Sequence, residues 1–209
     1  MEGTVISKKT YRYFTWGNPE KATKLVYVLH GYGQLAEYFI RKFHVLPEEY
    51  FIVAPEGMHR FYLKGSSGRV GASWMTKEAR ESDIKDTINW LDELNQLIYS
   101  KYTFDKKIIL GFSQGGATAA RWQFNGRVSA NHLILWASVF PPDLELETEV
   151  KVTQSSRNHF LIGRKDEYFS EIDQQKMLEF YTSMNYESIQ YDGNHDVSEK
   201  VLLDLMQLV

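Results

Sequence analysis

The chain has 209 residues, of which 43% are hydrophobic, 14% aromatic and 24% charged; this is the make-up of a globular protein and excludes disorder, collagen-like repeats and low-complexity scaffolds. Lys and Arg number 24 against 27 Asp and Glu, a net charge of −3, so a nucleic-acid partner held by phosphate neutralisation is not expected. There is no cysteine, which removes disulfides, thiolate metal sites and cysteine nucleophiles together.

The opening residues MEGTVISKKTYRYFTWG hold no apolar stretch long enough for a signal peptide, and nowhere do 18 apolar residues run together, so a soluble, cytoplasmic protein without membrane association is expected. Segment 3–16 has no crossover helix after it and is expected as an antiparallel strand or hairpin at a sheet edge. Leu25–His30 reads as a strand, ending in the Gly-rich turn His30-Gly31-Tyr32-Gly33, and a helix is expected over 34–43. After the strand Tyr50–Ala54 comes a long irregular stretch, 55–77, rich in apolar side chains including Met58, Phe61, Leu63, Trp74 and Met75. Such a loop either tucks onto the core or walls a substrate pocket.

The helix expected over 78–100 has the clearest period, with Ile84, Ile88, Leu91, Leu94 and Ile98 on one stripe. A strand at Ile108–Gly111 leads into a helix at 114–124. A further strand at His132–Ala137 is followed by a connection, 139–157, that turns acidic at Glu145, Glu147 and Glu149 and reads as solvated. Then come a strand at His159–Gly163, a helix near 168–184, a strand at Ser188–Tyr191 and a helix at 197–208. Strand and helix alternating predicts an α/β fold, a mostly parallel sheet covered on both faces. No linker or repeat divides it, so residues 1–209 are expected to form one domain.

The chemistry concentrates at Gly111-Phe112-Ser113-Gln114-Gly115. A serine on a sharp strand-to-helix turn needs glycine two residues to either side, where a Cβ would strike neighbouring backbone, and the turn lifts its hydroxyl over the sheet edge. Roughly 0.07 accidental matches are expected in a chain of this length. A serine hydroxyl needs a base to take its proton. Of six histidines, His195 in Asp192-Gly193-Asn194-His195-Asp196 follows the last strand, where a loop can face Ser113. The others read as structural or surface residues.

The orienting acid should follow an intervening strand, which favours Asp166 over Asp173 inside a helix and Asp143 beyond two prolines. Asp166 also suits the N-cap of the following helix. Donors for an oxyanion are expected from the backbone amides of Tyr32 and Gln114.

The order of HGYG, GFSQGG, GRKDEY and GNHDVS resembles the α/β-hydrolase fold and, within it, the small phospholipase/carboxylesterase family that includes acyl-protein thioesterases. The similarity runs from Leu25 to Val209, and Ala72-Ser73-Trp74-Met75 matches the loop that borders the acyl pocket there. The resemblance implies Ser113 as nucleophile, Asp166 as acid, His195 as base, and the Tyr32 and Gln114 amides as oxyanion hole; the apolar 55–77 stretch offers Phe61, Leu63, Trp74 and Met75 as substrate contacts. It departs from the family at Gly193-Asn194-His195, where Gly-Gly-His is common, and at Met75-Thr76, where thioesterases tend to carry Phe-Asp.

The expected function is therefore cleavage of a small-molecule carboxylic ester or thioester through an acyl-enzyme, with no metal or organic cofactor. A catalytically idle scaffold that binds a small molecule, or a peptidase or acyltransferase using the same residues, are the alternatives. About twenty residues between Ser138 and His159 are too few for a cap domain.

Overall fold

The computed structural model describes residues 3–144 and 157–209; Glu145, Glu147 and Glu149 of the expected acidic connection lie outside them. Nine strands are described: β1 (Tyr13–Trp16), β2 (Lys24–Leu29), β3 (Tyr50–Pro55), β4 (His59–Lys64), β5 (Ser67–Ser73), β6 (Lys106–Phe112), β7 (His132–Trp136), β8 (Arg157–Gly163) and β9 (Glu187–Tyr191). The helices among these residues are α1 (Ala36–Phe39), α2 (Arg80–Tyr99), α3 (Gln114–Asn125), α4 (Glu171–Ser183) and α5 (Glu199–Met206). Seven strands make one sheet in the order β1-β3-β2-β6-β7-β8-β9. β1 runs antiparallel to β3 at one edge, and all other pairings are parallel.

The central strands read as unbroken apolar runs because both faces are covered. Leu25, Tyr27, Leu29, Ile109, Leu133, Leu135 and Phe160 belong to one buried cluster, which also takes Leu91 and Leu94 of α2 and Trp122 of α3. Their alternates Val26, Val28, Ile108, Leu110, Ile134 and Leu161 belong to the other, with Phe39 of α1 and Leu202 and Leu205 of α5.

Three elements differ from expectation. The helix expected at 34–43 is one turn of α1 followed by a 3-10 turn, Ile40–Phe43; no side chain caps its start at Leu35, and the tighter winding seats both Ile40 and Phe43 in the core. The last helix, expected over 197–208, ends at Met206 with Leu202, Leu205 and Met206 buried, and Leu208 beyond it is 53% exposed.

The third difference matters most for the site. Much of the irregular stretch 55–77 is an antiparallel hairpin of β4 and β5, with a register shift between Tyr62 and Lys64. Gly65 turns the chain in the left-handed region, at φ 58°. The bulge interrupts the two-residue alternation that announces a hairpin in sequence.

Three histidines are buried without solvent to support a charge. Burial lowers His30 to about 4 and His132 to about 4, and it also lowers His159, whose ring lies 6.1 Å from that of His132. In the unfolded chain each titrates near about 6.5. Above that pH neither state binds the proton; below it only the unfolded chain does, until the folded pKa is reached. Unfolding free energy should therefore be level above about pH 6.5 and fall by about 1.4 kcal/mol per pH unit for each of His30 and His132 toward pH 4, with His159 acting in the same direction. Urea titrations at neutral and mildly acidic pH read this slope directly, and a level profile across that window would contradict the burial of these rings.

Candidate active site

Ser113 stands between β6 and α3 with φ 53° and ψ −122°, a conformation that is costly for a residue with a Cβ and persists only when its surroundings over-determine it. Its N–H donates to the Trp136 carbonyl at 2.9 Å, and its own carbonyl accepts from the Gly116 N–H at 2.9 Å. The neighbouring glycines are sterically required. A Cβ on Gly111 would lie 2.3 Å from the Gly115 carbonyl oxygen, and one on Gly115 would lie 2.3 Å from that of Leu29.

His195, in the loop after β9, and Asp166, in the loop after β8, meet on the same sheet edge. The His195 Nδ1–H donates to Asp166 Oδ2 at 2.7 Å, and Oδ1 of the same carboxylate accepts the Tyr168 N–H at 2.9 Å. The Asp166 side chain is fully buried and that of His195 is 10% exposed, so this charge-assisted bond is little screened by water. With Nδ1 bonded to a carboxylate, Nε2 is the nitrogen left to take a proton. The imidazole packs against Phe112, the residue before Ser113, at 4.9 Å between ring centroids. On another side lies the Tyr168 ring at 4.4 Å. The Ser113 hydroxyl forms no hydrogen bond among the described residues; contacts of this kind tighten when substrate is present.

Asp166 is not the N-cap of α4. That helix starts three residues later than expected, and Ser170 caps it by accepting the Asp173 N–H at 3.2 Å. Asp173 therefore faces its own helix start rather than His195.

The turn after β2 offers one uncommitted amide. Gly31 N–H donates to Gln34 Oε1 at 2.9 Å and Gly33 N–H to the Ala72 carbonyl at 2.8 Å, whereas the Tyr32 N–H between them has no partner among the described residues. Gln114 opens α3, where first-turn amides lack intrahelical acceptors. Buried His30 braces this turn from below: its Nδ1–H donates to the Gly31 carbonyl at 2.8 Å, so its Nε2 accepts the Gly57 N–H at 2.9 Å. Its lowered pKa keeps the ring neutral, as that pairing requires.

Sequence reading named only the backbone of Gln114, but its side chain ties the serine turn to the 73–75 segment. The side-chain amide donates to the Met75 carbonyl at 2.9 Å and its oxygen accepts the Trp74 N–H at 3.1 Å. Glu167 was also missed; its Oε2 accepts the His195 backbone N–H at 3.2 Å. A bond from its own backbone N–H, and next this one, hold its carboxyl below the ordinary value. No spacing rule announces either contact.

A cavity of about 650 Å³ opens beside the Tyr32 turn, between Gly33 and Lys42. Of the four residues expected to touch substrate, Leu63 lines it, and the Phe61 ring lies 5.1 Å from that of Tyr32 at the turn itself. Trp74 does not: it is 1% exposed, stacked on His30 at 4.9 Å, with its indole N–H donating to the His30 carbonyl at 2.8 Å. A large flat ring with a single donor suits bracing the turn. Trp74 and Met75 line a separate, smaller space with Arg121 and Ile88.

Among the described residues, no three His, Asp or Glu side chains are grouped to hold a metal ion, and no helix is long and apolar enough to cross a membrane. A family model described as serine hydrolase (FSH1) matches residues 20–201. No curated protein matches the sequence. Among solved structures, the chain is similar to acyl-protein thioesterase 2 of Zea mays, at 15% identity over 94% of this chain and 96% of that one, with a TM-score of 0.71. A carboxylesterase from Mesorhizobium loti matches at 13% identity over 94% of each chain, with a TM-score of 0.73. A phospholipase/carboxylesterase from Dyadobacter fermentans DSM 18053 matches at 18% identity over 99% of this chain and 100% of that one, with a TM-score of 0.64. At these identities the likeness establishes the fold, and it is the α/β-hydrolase fold expected from the motifs.

Proposed function

The chain belongs to the serine hydrolase (FSH1) family, and we propose that it cleaves small carboxylic esters or thioesters through an acyl-enzyme, with Ser113, His195 and Asp166 as its triad. The observation that carries this reading is the pairing of a buried Asp166 with His195 at 2.7 Å beside a serine held in a strained backbone conformation.

Ser113 Oγ attacks the acyl carbonyl while His195 Nε2 takes its proton. Asp166 keeps the imidazole in the Nδ1–H tautomer and stabilises the cation that forms. The Tyr32 and Gln114 amides donate to the developing oxyanion. His195 then protonates the leaving alcohol or thiol, and water repeats the sequence on the acyl-enzyme. No step calls for a metal or organic cofactor. We read residues 1–209 as one domain acting in the cytoplasm on a small-molecule substrate, with neither a nucleic acid nor a membrane as partner.

The cavity beside Tyr32 takes the substrate chain, walled by Leu63 and by Leu35 and Phe39. Each methylene covered there is worth about 0.8 kcal/mol, about fourfold in kcat/KM. Across p-nitrophenyl esters from acetyl to palmitoyl, kcat/KM should climb over the short chains and level off at medium length. With no lid among the described residues to be opened by an interface, there should be no jump in rate at the micelle threshold. A maximum at palmitoyl or such a jump would overturn this account of the pocket, and failure of a fluorophosphonate to label the protein would overturn the hydrolase reading itself.

A further inference from the structure

The same cavity carries an unusual combination of groups. Its apolar wall of Leu35, Phe39, Leu63 and Val70 is joined by two cations, Lys42 and Arg69, and by no carboxylate among the described residues. We propose that it selects esters bearing a carboxylate at a distance from the reacting carbonyl, with Arg69 and Lys42 as the residues that determine this specificity. The inference rests on the esterase reading above and names its substrate class.

Lys42 stands ready at the cavity edge. Its ammonium bridges both oxygens of Asp196, at 2.7 and 2.8 Å, which leaves one of its three donors for a ligand. Asp196 directly follows His195, so this ion pair joins the cavity's edge to the loop that carries the base. Arg69, on β5, makes no ion pair or hydrogen bond among the described residues, and its planar fork matches a carboxylate with two parallel bonds. The Arg41 guanidinium lies 4.7 Å over the ring of Tyr38, itself part of the cavity wall. A substrate with an apolar middle and an anionic end satisfies the wall and the cations together. A plain alkyl chain leaves Arg69 without a partner and the third Lys42 donor unused, and a short anion forgoes the wall.

The carboxylate can sit on the acyl or on the alcohol side, and two pairs of substrates distinguish these. The first sets the p-nitrophenyl half-ester of adipic acid against p-nitrophenyl heptanoate; the second sets the acetyl ester of 6-hydroxyhexanoate against heptyl acetate. In one pair the anionic member should have the higher kcat/KM by about fivefold, the scale of a partly exposed ion pair, and the ratio should shrink toward one in about 0.5 M salt. Arg69→Gln and Lys42→Met should each lower the ratio, and Arg69→Lys, which keeps the charge without the fork, should keep only part of it. Because each ratio is taken within one preparation, the fraction of folded enzyme cancels. Hydrolysis of the neutral esters with ratios at or below one in both pairs overturns this inference alone. No hydrolysis of any ester overturns the esterase reading and this one with it.

Discussion

Replacing Ser113 by alanine should lower kcat/KM for every ester by about 10⁴-fold or more and abolish fluorophosphonate labelling, with Tm unchanged or slightly higher. The hydroxyl makes no hydrogen bond among the described residues, so its removal takes nothing from the fold. What holds residue 113 is main chain: the bonds to Trp136 and Gly116 survive substitution. The positive φ costs any residue with a Cβ about 1–3 kcal/mol, and Ser113→Gly should recover part of that as a rise in Tm while remaining equally inactive. Stability and activity thus move in opposite directions at one position. Labelling retained by the alanine variant would remove Ser113 from the mechanism.

Asp166→Asn should be almost as damaging, about 10⁴-fold in kcat, although it changes a single atom. An asparagine amide can donate to Nδ1, and the imidazole then places its proton on Nε2, the nitrogen that must accept one from Ser113. The other side-chain oxygen can still receive the Tyr168 N–H, so the loop after β8 should keep its shape and Tm should change little. Asp173→Asn is the control. Asp173 is exposed and bonded only within its own helix start, its Oδ2 accepting from the Ser170 hydroxyl at 2.6 Å, so turnover should be unaffected. If steady-state kinetics show the two substitutions with reversed effects, the wrong carboxylate has been placed beside His195.

How far the sequence could be read depended on how local the governing physics was. The parallel strands follow from short apolar runs and α2, α3 and α4 from helical spacing, and Ser113 from glycines whose side chains would collide within a five-residue turn. His195 and Asp166 were legible because each follows a strand, and parallel strands bring their carboxyl ends to one edge. The hairpin escaped because a bulge breaks its alternation between Tyr62 and Lys64. The brace that Trp74 gives the turn was not legible, because a loop tryptophan gives no local sign that its indole N–H bonds a carbonyl 44 residues away. The side chain of Gln114 is a similar case, since its partners lie about forty residues upstream and nothing in their spacing joins them.

β9 lies at the sheet edge, paired only with β8, and most of its residues are half-buried or exposed. The loop that holds His195 hangs from this strand, whereas Ser113 hangs from β6 at the sheet's centre. Opening β9 alone exposes far less apolar surface than unfolding the whole chain, so it requires a smaller free energy. The robustness of the active constellation is therefore that of its outermost ladder, and the central strands can remain protected from exchange in molecules that have lost their base.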